Sequence, residues 1–355
     1  MNFFKQDKHT AVEAKEYAQF LAFAPMAFQA ARALVNLGLL AAVEKSHRQG
    51  ITVAAAAEKT GLSIYGSRVL LEAGLGIGLV TNKGDLFLLT RTGHFLLHDE
   101  MTRVNFNFVN DVCYQGVFDL EKSVREGKPE GLKVFGRWPT IYEALAQLPE
   151  PVRESWLKFD HYYSDSAFDA ALPIVFKNRP RRLLDIGGNT GRWALRCVNF
   201  SPDVQVGIAD LPGQLKMAEV ATRNLPGGDR INGFPVNLLE PDSALPENFD
   251  AIWMSQFLDC FSEEQIRAIL GKCRRVLPPA GRMFILEPLW DRQKFLAGAF
   301  SLQFTSLYFT AMANGNSQMY HSRLLLSLIR ESGFEIEEQF NQLGVGHSLI
   351  VSRPV

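Results

Sequence analysis

The sequence predicts an α/β fold: a Rossmann-like, mostly parallel sheet in the C-terminal half, preceded by a mostly helical, winged-helix-like domain. Three observations carry this. The stretch Arg181–Arg196, RRLLDIGGNTGRWALR, reads as a strand turning tightly into a helix. Apolar strand-like runs then alternate with helical patterns near 182–186, 204–209, 231–236, 249–255 and 282–287, as in a doubly wound sheet. The chain ends in FEIEEQFNQLGVGHSLIVSR, two strand-like runs joined by a glycine-containing loop. A dinucleotide-binding fold would more often add a parallel strand there.

Composition sets the bounds. The chain has 355 residues with a net charge of −1, enough for two domains with a sizeable core and without the electrostatic footprint of a nucleic-acid or anionic-membrane binder. Cys113, Cys197, Cys260 and Cys273 show no metal-type or redox spacing, so reduced thiols, no metal and a cytoplasmic location are expected. The opening residues are too charged for a signal-peptide core. The apolar segment 20–43 carries Pro25, Gln29, Arg32 and Asn36, which argues against a membrane span.

In order along the chain, residues around 12–45 show helical spacing (Phe20, Phe23, Phe28, Ala31, Leu34, Val35), and Pro25 should kink or split that helix. So apolar a helix suggests a subunit interface, against the plainer option of packing within its own domain. Residues 51–99 give two short helices and then a hairpin about Asn82-Lys83-Gly84-Asp85. That is a winged-helix pattern, but its second helix, near 63–76, offers only Arg68 to a DNA backbone. Residues 100–165 are helical and dense in aromatic residues, which serve either as core or as the wall of an apolar ligand pocket. His161, Tyr162 and Tyr163, beside the sheet domain, are the candidates to face a ligand. The expected domains are 1–105, 106–165 and 166–355.

A glycine turn opening a helix presents unpaired backbone N–H groups to an anion or to the polar tail of a ligand. Gly187, Gly188 and Gly191 do not fit the G-x-G-x-x-G register of a dinucleotide site. Asp185 just before them, and Asn189 between them, fit a D-x-G-x-G-x-G pattern in which Asn tolerates left-handed backbone. Asp210, ending the second strand, is placed to accept ribose hydroxyls, or else to cap the helix that starts at Pro212. Asn237 ends the third strand, where its amide can meet an adenine edge with Leu238 on the ring, or simply make a turn.

Taken together, LLDIGGNTG, ADLPGQL, NLLEP, FSEEQ and GRMFILEPL resemble the S-adenosylmethionine-dependent O-methyltransferases that act on plant phenylpropanoids and bacterial polyketides. The resemblance extends over residues 12–353 and implies a seven-stranded methyltransferase sheet, an N-terminal winged-helix dimerisation domain, S-adenosylmethionine as cofactor, a homodimer, and a small aromatic or largely apolar acceptor. It implies that Gly187, Gly188, Gly191, Asp210, Leu211, Asn237 and Ser255 hold the cofactor; Leu238, beside Asn237, and Tyr163, at the domain junction, are further candidates by position. His161, Tyr162, Phe304 and Tyr308 would face the acceptor, the last two from the stripe Phe300-Phe304-Tyr308, which reads equally as core.

The departures fall at the catalytic position. Where the family has a base histidine, Leu258-Asp259-Cys260-Phe261-Ser262 places Asp259, and Glu287 matches the first of the two acids that flank it. The second acid falls near Met319 and is lost; His321 lies two residues on. An ordinary Asp would have to accept a proton from a phenol across a gap of about 8 kcal/mol. Asp259 therefore acts as a base only if its apolar neighbours raise it, or else it orients the acceptor, or methyl transfer has been lost and the protein senses its cofactor. Capping of the next helix is better served by Ser262.

Overall fold

The computed structural model describes residues 4–355. The chain forms two compact units, one running to Phe106 and the other from Asn107 to Val355.

The N-terminal unit opens on the helix Ala11–Asn36. Thr10 and Glu13 form a reciprocal capping box at its start, satisfying two of the donors every helix start leaves open. The helix runs through Pro25 without dividing. It stops instead at Leu37, where Gly38 adopts φ 76° before the helix Leu39–Lys45 begins. Proline costs one hydrogen bond inside a helix, whereas a left-handed glycine ends the helical path. By length and composition the first helix could span a membrane, and 11% of its apolar stretch is buried in the structure. Tyr17, Phe20, Leu21, Phe23 and Met26 are exposed along it.

Helices Val53–Thr60 and Ile64–Gly76, capped by Thr52 and Ser63, lead into the hairpin β1 (Val80–Lys83) and β2 (Leu86–Leu89). Gly84, at φ 59°, takes the turn. Ile51 bridges to Phe87, adding a third extended segment to the wing. Helix Arg91–His98, capped by Thr90, follows.

The larger unit is built on a seven-stranded sheet: β3 (Arg182–Ile186), β4 (Gln205–Asp210), β5 (Ile231–Pro235), β6 (Ala251–Ser255), β7 (Arg282–Glu287), β8 (Phe334–Leu343) and β9 (His347–Pro354). Their order across the sheet is β5-β4-β3-β6-β7-β9-β8. The first five are parallel; β9 pairs antiparallel with β7 and with β8. This is the layout expected of a methyltransferase sheet.

Successive residues point to opposite faces of a strand. Accordingly Leu184, Ile186, Ile252, Met254, Met283 and Ile285 enter one core, shared with helices Glu263–Val276 and Ser322–Glu331. Leu183, Ala251, Trp253, Phe284 and Leu286 enter the other, beneath helices Glu150–Val175 and Arg192–Phe200. There Trp193 stacks on Trp253 with ring centroids 3.9 Å apart. Burial on both faces is why the central strands read as continuous apolar runs. Strand order reverses between β3 and β6, which opens a crevice at their carboxyl ends, where open α/β sheets bind ligands.

Candidate active site

A cavity of about 400 Å³ occupies that crevice, within the size range of small-molecule sites. Its floor is the carboxyl end of the parallel strands: Asp185, Gly187, Gly188, Asn189 and Thr190 after β3, Ala209–Leu211 at β4, Asn237 and Leu238 after β5, and Ser255 at β6. Its outer part is aromatic, with Phe108, Tyr142, Trp156, Phe159, Tyr308 and Phe309.

The glycine turn is tightly determined. Gly187 has φ 73°, Asn189 φ 49° and Gly191 φ 75°. A Cβ on Gly187 would stand 2.2 Å from the Phe257 ring, and one on Gly188 would stand 2.7 Å from Asp185 Oδ2. Asn189 donates its backbone N–H to Asp210 Oδ2 (2.9 Å), and Leu211 donates its own to Asp210 Oδ1 (2.7 Å). Each carboxylate oxygen has a second lone pair to offer. Burial pushes the Asp210 carboxyl up to about 6, against the lowering effect of those two bonds. A bound sulfonium cation would favour its ionised form.

Among the described residues, six cavity-lining polar atoms are buried without a protein partner; three of them, Asp185 Oδ2, Asn189 Oδ1 and Ser255 Oγ, lie at the strand ends, and the others are Tyr142 Oη, Trp193 Nε1 and Trp253 Nε1. Buried polar atoms are almost always paired, so the clustering of the first three at the strand ends marks a place shaped for a polar ligand. Burial holds Asp185 protonated well above the usual carboxylate range, reinforced by Asp210. A glycine cradle, a doubly held carboxylate and three open polar atoms fit the amino-acid tail and ribose of S-adenosylmethionine.

Asp259 sits on the short turn Leu258–Cys260 and lines the same cavity at 3% exposure. Burial pushes its carboxyl up to about 7, with the Cys260 S–H bond lowering it and the charge of Asp160 raising it. Glu287 does not line the cavity. Its Oε1 accepts the backbone N–H groups of Phe257 (3.0 Å) and Leu258 (2.8 Å), so it braces the turn that presents Asp259 rather than meeting a ligand. Met319 is buried in the cavity wall where the second flanking acid would stand. His321 lies elsewhere. It caps helix Ser322–Glu331 by accepting the Arg323 N–H, with its ring edge against Trp290.

The long helix Glu150–Val175 sorts the remaining candidates. His161 faces the cavity and meets Thr190 Oγ1 at 3.1 Å. Desolvation, with Arg192 nearby, lowers it to about 4, so it is neutral at physiological pH. Tyr162 and Tyr163 do not line the cavity; Tyr163 packs on Phe159 and against Tyr162. Phe159, Asp160 and His161 face the cavity from one stretch of this helix, and the next two residues do not. Asp160, absent from the sequence reading, does line it, accepting from Asn189 Nδ2 at 3.2 Å. Burial, aided by Asp165, pushes Asp160 up to about 7. The stripe after β7 also divides. Tyr308 is buried in the cavity wall and accepts a 2.6 Å bond from Trp156 Nε1. Phe304 is 53% exposed, stacked on Phe300 away from the cavity.

Residues 118–335 match the family model of the O-methyltransferase domain, more than half the chain. The chain belongs to that family. Residues 15–87 match the Dimerisation2-like domain, so the exposed apolar helix lies largely within a dimerisation module. Relatives of this O-methyltransferase-family protein include an L-tyrosine C(3)-methyltransferase of Streptomyces lavendulae, 23% identical over 90% of this chain and 86% of that one. A demethylspheroidene O-methyltransferase of Cereibacter sphaeroides is 28% identical over 72% of this chain and 66% of its own. Among solved structures, mitomycin 7-O-methyltransferase MmcR superposes with a TM-score of 0.72 at 19% identity, covering 96% of this chain and 98% of that one. Family and fold together identify an S-adenosylmethionine-dependent methyltransferase and do not favour a sensor or a DNA-binding regulator.

Proposed function

We propose that the protein transfers a methyl group to a hydroxyl oxygen of a small aromatic or largely apolar metabolite, with Asp259 taking the acceptor's proton. The observation that carries this is the presence of Asp259 and Asp210 in one cavity, one at the aromatic end and one at the glycine turn. S-adenosylmethionine supplies an electrophilic methyl group on a sulfonium sulfur. Asp210 holds the ribose, and Gly187, Gly188 and Gly191 leave room for the methionine tail. Asn237, Leu238, Leu211 and Ser255 bound the adenosine end. Trp156, Phe159 and Tyr308 clamp a flat acceptor and exclude water, and much of such catalysis is positioning in a dry site. His161, neutral, offers a hydrogen bond.

With its carboxyl near 7, Asp259 narrows the gap to a phenol of ordinary acidity to about 4 kcal/mol. Proton removal during attack then becomes feasible. The lining is acidic as well: Glu143, Asp160, Asp165 and Asp259 face the cavity against Arg192, which is itself paired with Asp165. A neutral or amine-bearing acceptor suits this wall; a carboxylate-bearing one does not. We assign residues 106–165 to the acceptor wall, and the homodimer to the exposed face of helix Ala11–Asn36. Four unpaired cysteines accord with a cytoplasmic location.

A radiolabelled methyl-transfer screen over phenols, aryl amines and aryl carboxylic acids tests the reading. Incorporation into neutral phenols, with the acids inert, is expected. Labelling confined to nitrogen or carbon would overturn the assignment of a hydroxyl oxygen, and labelling confined to carboxylates would overturn both that assignment and the acidic wall.

A further inference from the structure

Away from the cavity, three potential metal ligands converge in the N-terminal unit. His94 and His98 lie four residues apart on helix Arg91–His98, so their rings share one face, with centroids 4.7 Å apart. Glu44 comes from the neighbouring helix Leu39–Lys45. Its Oε1 lies 3.1 Å from His94 Nδ1 and 2.7 Å from His98 Nε2. One ligand atom from each of the three falls within 4.8 Å of the others.

Glu44 Oε1 holds both imidazoles at hydrogen-bond distance, and a small parting of these atoms makes room for a shared ion. Zinc bound at about 2.0–2.2 Å in tetrahedral geometry sets its ligand atoms roughly 3.3 Å apart. The two histidine side chains are 58% and 52% exposed and that of Glu44 30%, which leaves the outward side open to water. The backbone beneath is fixed. Leu39, Leu40 and Val43 are fully buried, and Thr90 caps the histidine helix by accepting the Gly93 N–H. A site held on two packed helices requires little ordering when it binds. Two imidazoles and one carboxylate are the donors of a zinc-class cation, whereas magnesium and calcium take oxygen.

We infer that Glu44, His94 and His98 bind one zinc-class divalent cation per chain, with water completing the coordination. The ion ties helix Arg91–His98, which follows the wing, to helix Leu39–Lys45. The site is independent of the methyl-transfer chemistry.

The test is titration of the full chain with zinc chloride against a chromophoric chelator, beside His94→Ala/His98→Ala and Glu44→Gln. Circular dichroism checks that each variant is folded. One high-affinity zinc per wild-type chain is expected. Affinity should fall at least tenfold in Glu44→Gln, and the site should be lost in the double variant. Zinc should raise the Tm of wild type alone, since a ligand of the native state stabilises it by mass action, and magnesium should not. If the double variant does not fold, Glu44→Gln decides, because it keeps the size and the hydrogen-bonding oxygen of the side chain. Zinc binding by wild type no tighter than by Glu44→Gln, or no zinc bound by wild type, would overturn the assignment.

Discussion

In the proposed reaction Asp259 takes the acceptor's proton, and burial raises its carboxyl toward the range of a usable base. Its carboxyl near 7 predicts a rate that rises with pH through about 7 as the base ionises. That limb should vanish in Asp259→Asn, with turnover down by roughly 10²–10⁴ and affinity for S-adenosylhomocysteine retained. Pre-steady-state rates across pH 5–9 read this; an unchanged limb removes Asp259 from the proton path. Asp160 carries a second consequence. Its folded carboxyl binds a proton up to about 7, but the unfolded one only to about 4, so between those values the folded state binds more protons. Stability then falls as pH rises through that window. Asp160→Asn removes the penalty, so by urea denaturation the variant should match wild type near pH 4 and exceed it at pH 8, by on the order of 2–4 kcal/mol. Parallel stability curves would refute the buried charge. The sequence did not point to Asp160, because pocket membership on a long helix depends on its rotation. Tyr162 and Tyr163, its near neighbours, were expected at the ligand and are turned off the cavity.

The turn Leu258–Cys260 and its brace matter at the scale of elements. Glu287 matched a flanking acid by its position in FILEP, yet the fold gives it two backbone N–H groups to hold. Glu287→Ala leaves both buried donors unpaired, at about 1–3 kcal/mol each, and should lower both Tm and turnover. Glu287→Gln retains an acceptor oxygen and should recover most of each. If Gln behaves like Ala in turnover while preserving Tm, Glu287 takes part in proton transfer instead. The strands were legible because parallel strands buried on both faces are short apolar runs between turns; 182–186 and 282–287 fall where the runs predict. The first helix was legible in type and not in its end. Proline suggested a break at residue 25, and the left-handed Gly38 makes it.

For the whole molecule, the exposed side chains of Phe20, Phe23 and Met26 form an apolar face too large to leave in water without cost. Phe23→Asp with Met26→Asp should shift the protein from dimer to monomer in sedimentation velocity; a dimer that persists places the interface elsewhere. The glycine turn was legible from spacing as a tight strand-to-helix turn needing left-handed backbone, and the acid on the next strand meets it through the Asn189 N–H. What no spacing could supply was the aromatic wall. Trp156 and Tyr308 stand 152 positions apart and meet only when the chain folds back over the sheet.

The account rests on one cofactor lying between Gly187–Gly191 and Asp210. Calorimetric titration of wild type and Asp210→Ala with S-adenosylhomocysteine tests this most directly. Saturable one-to-one binding that weakens at least tenfold in Asp210→Ala is predicted. Absence of binding by wild type, or equal affinity in the two proteins, would contradict it.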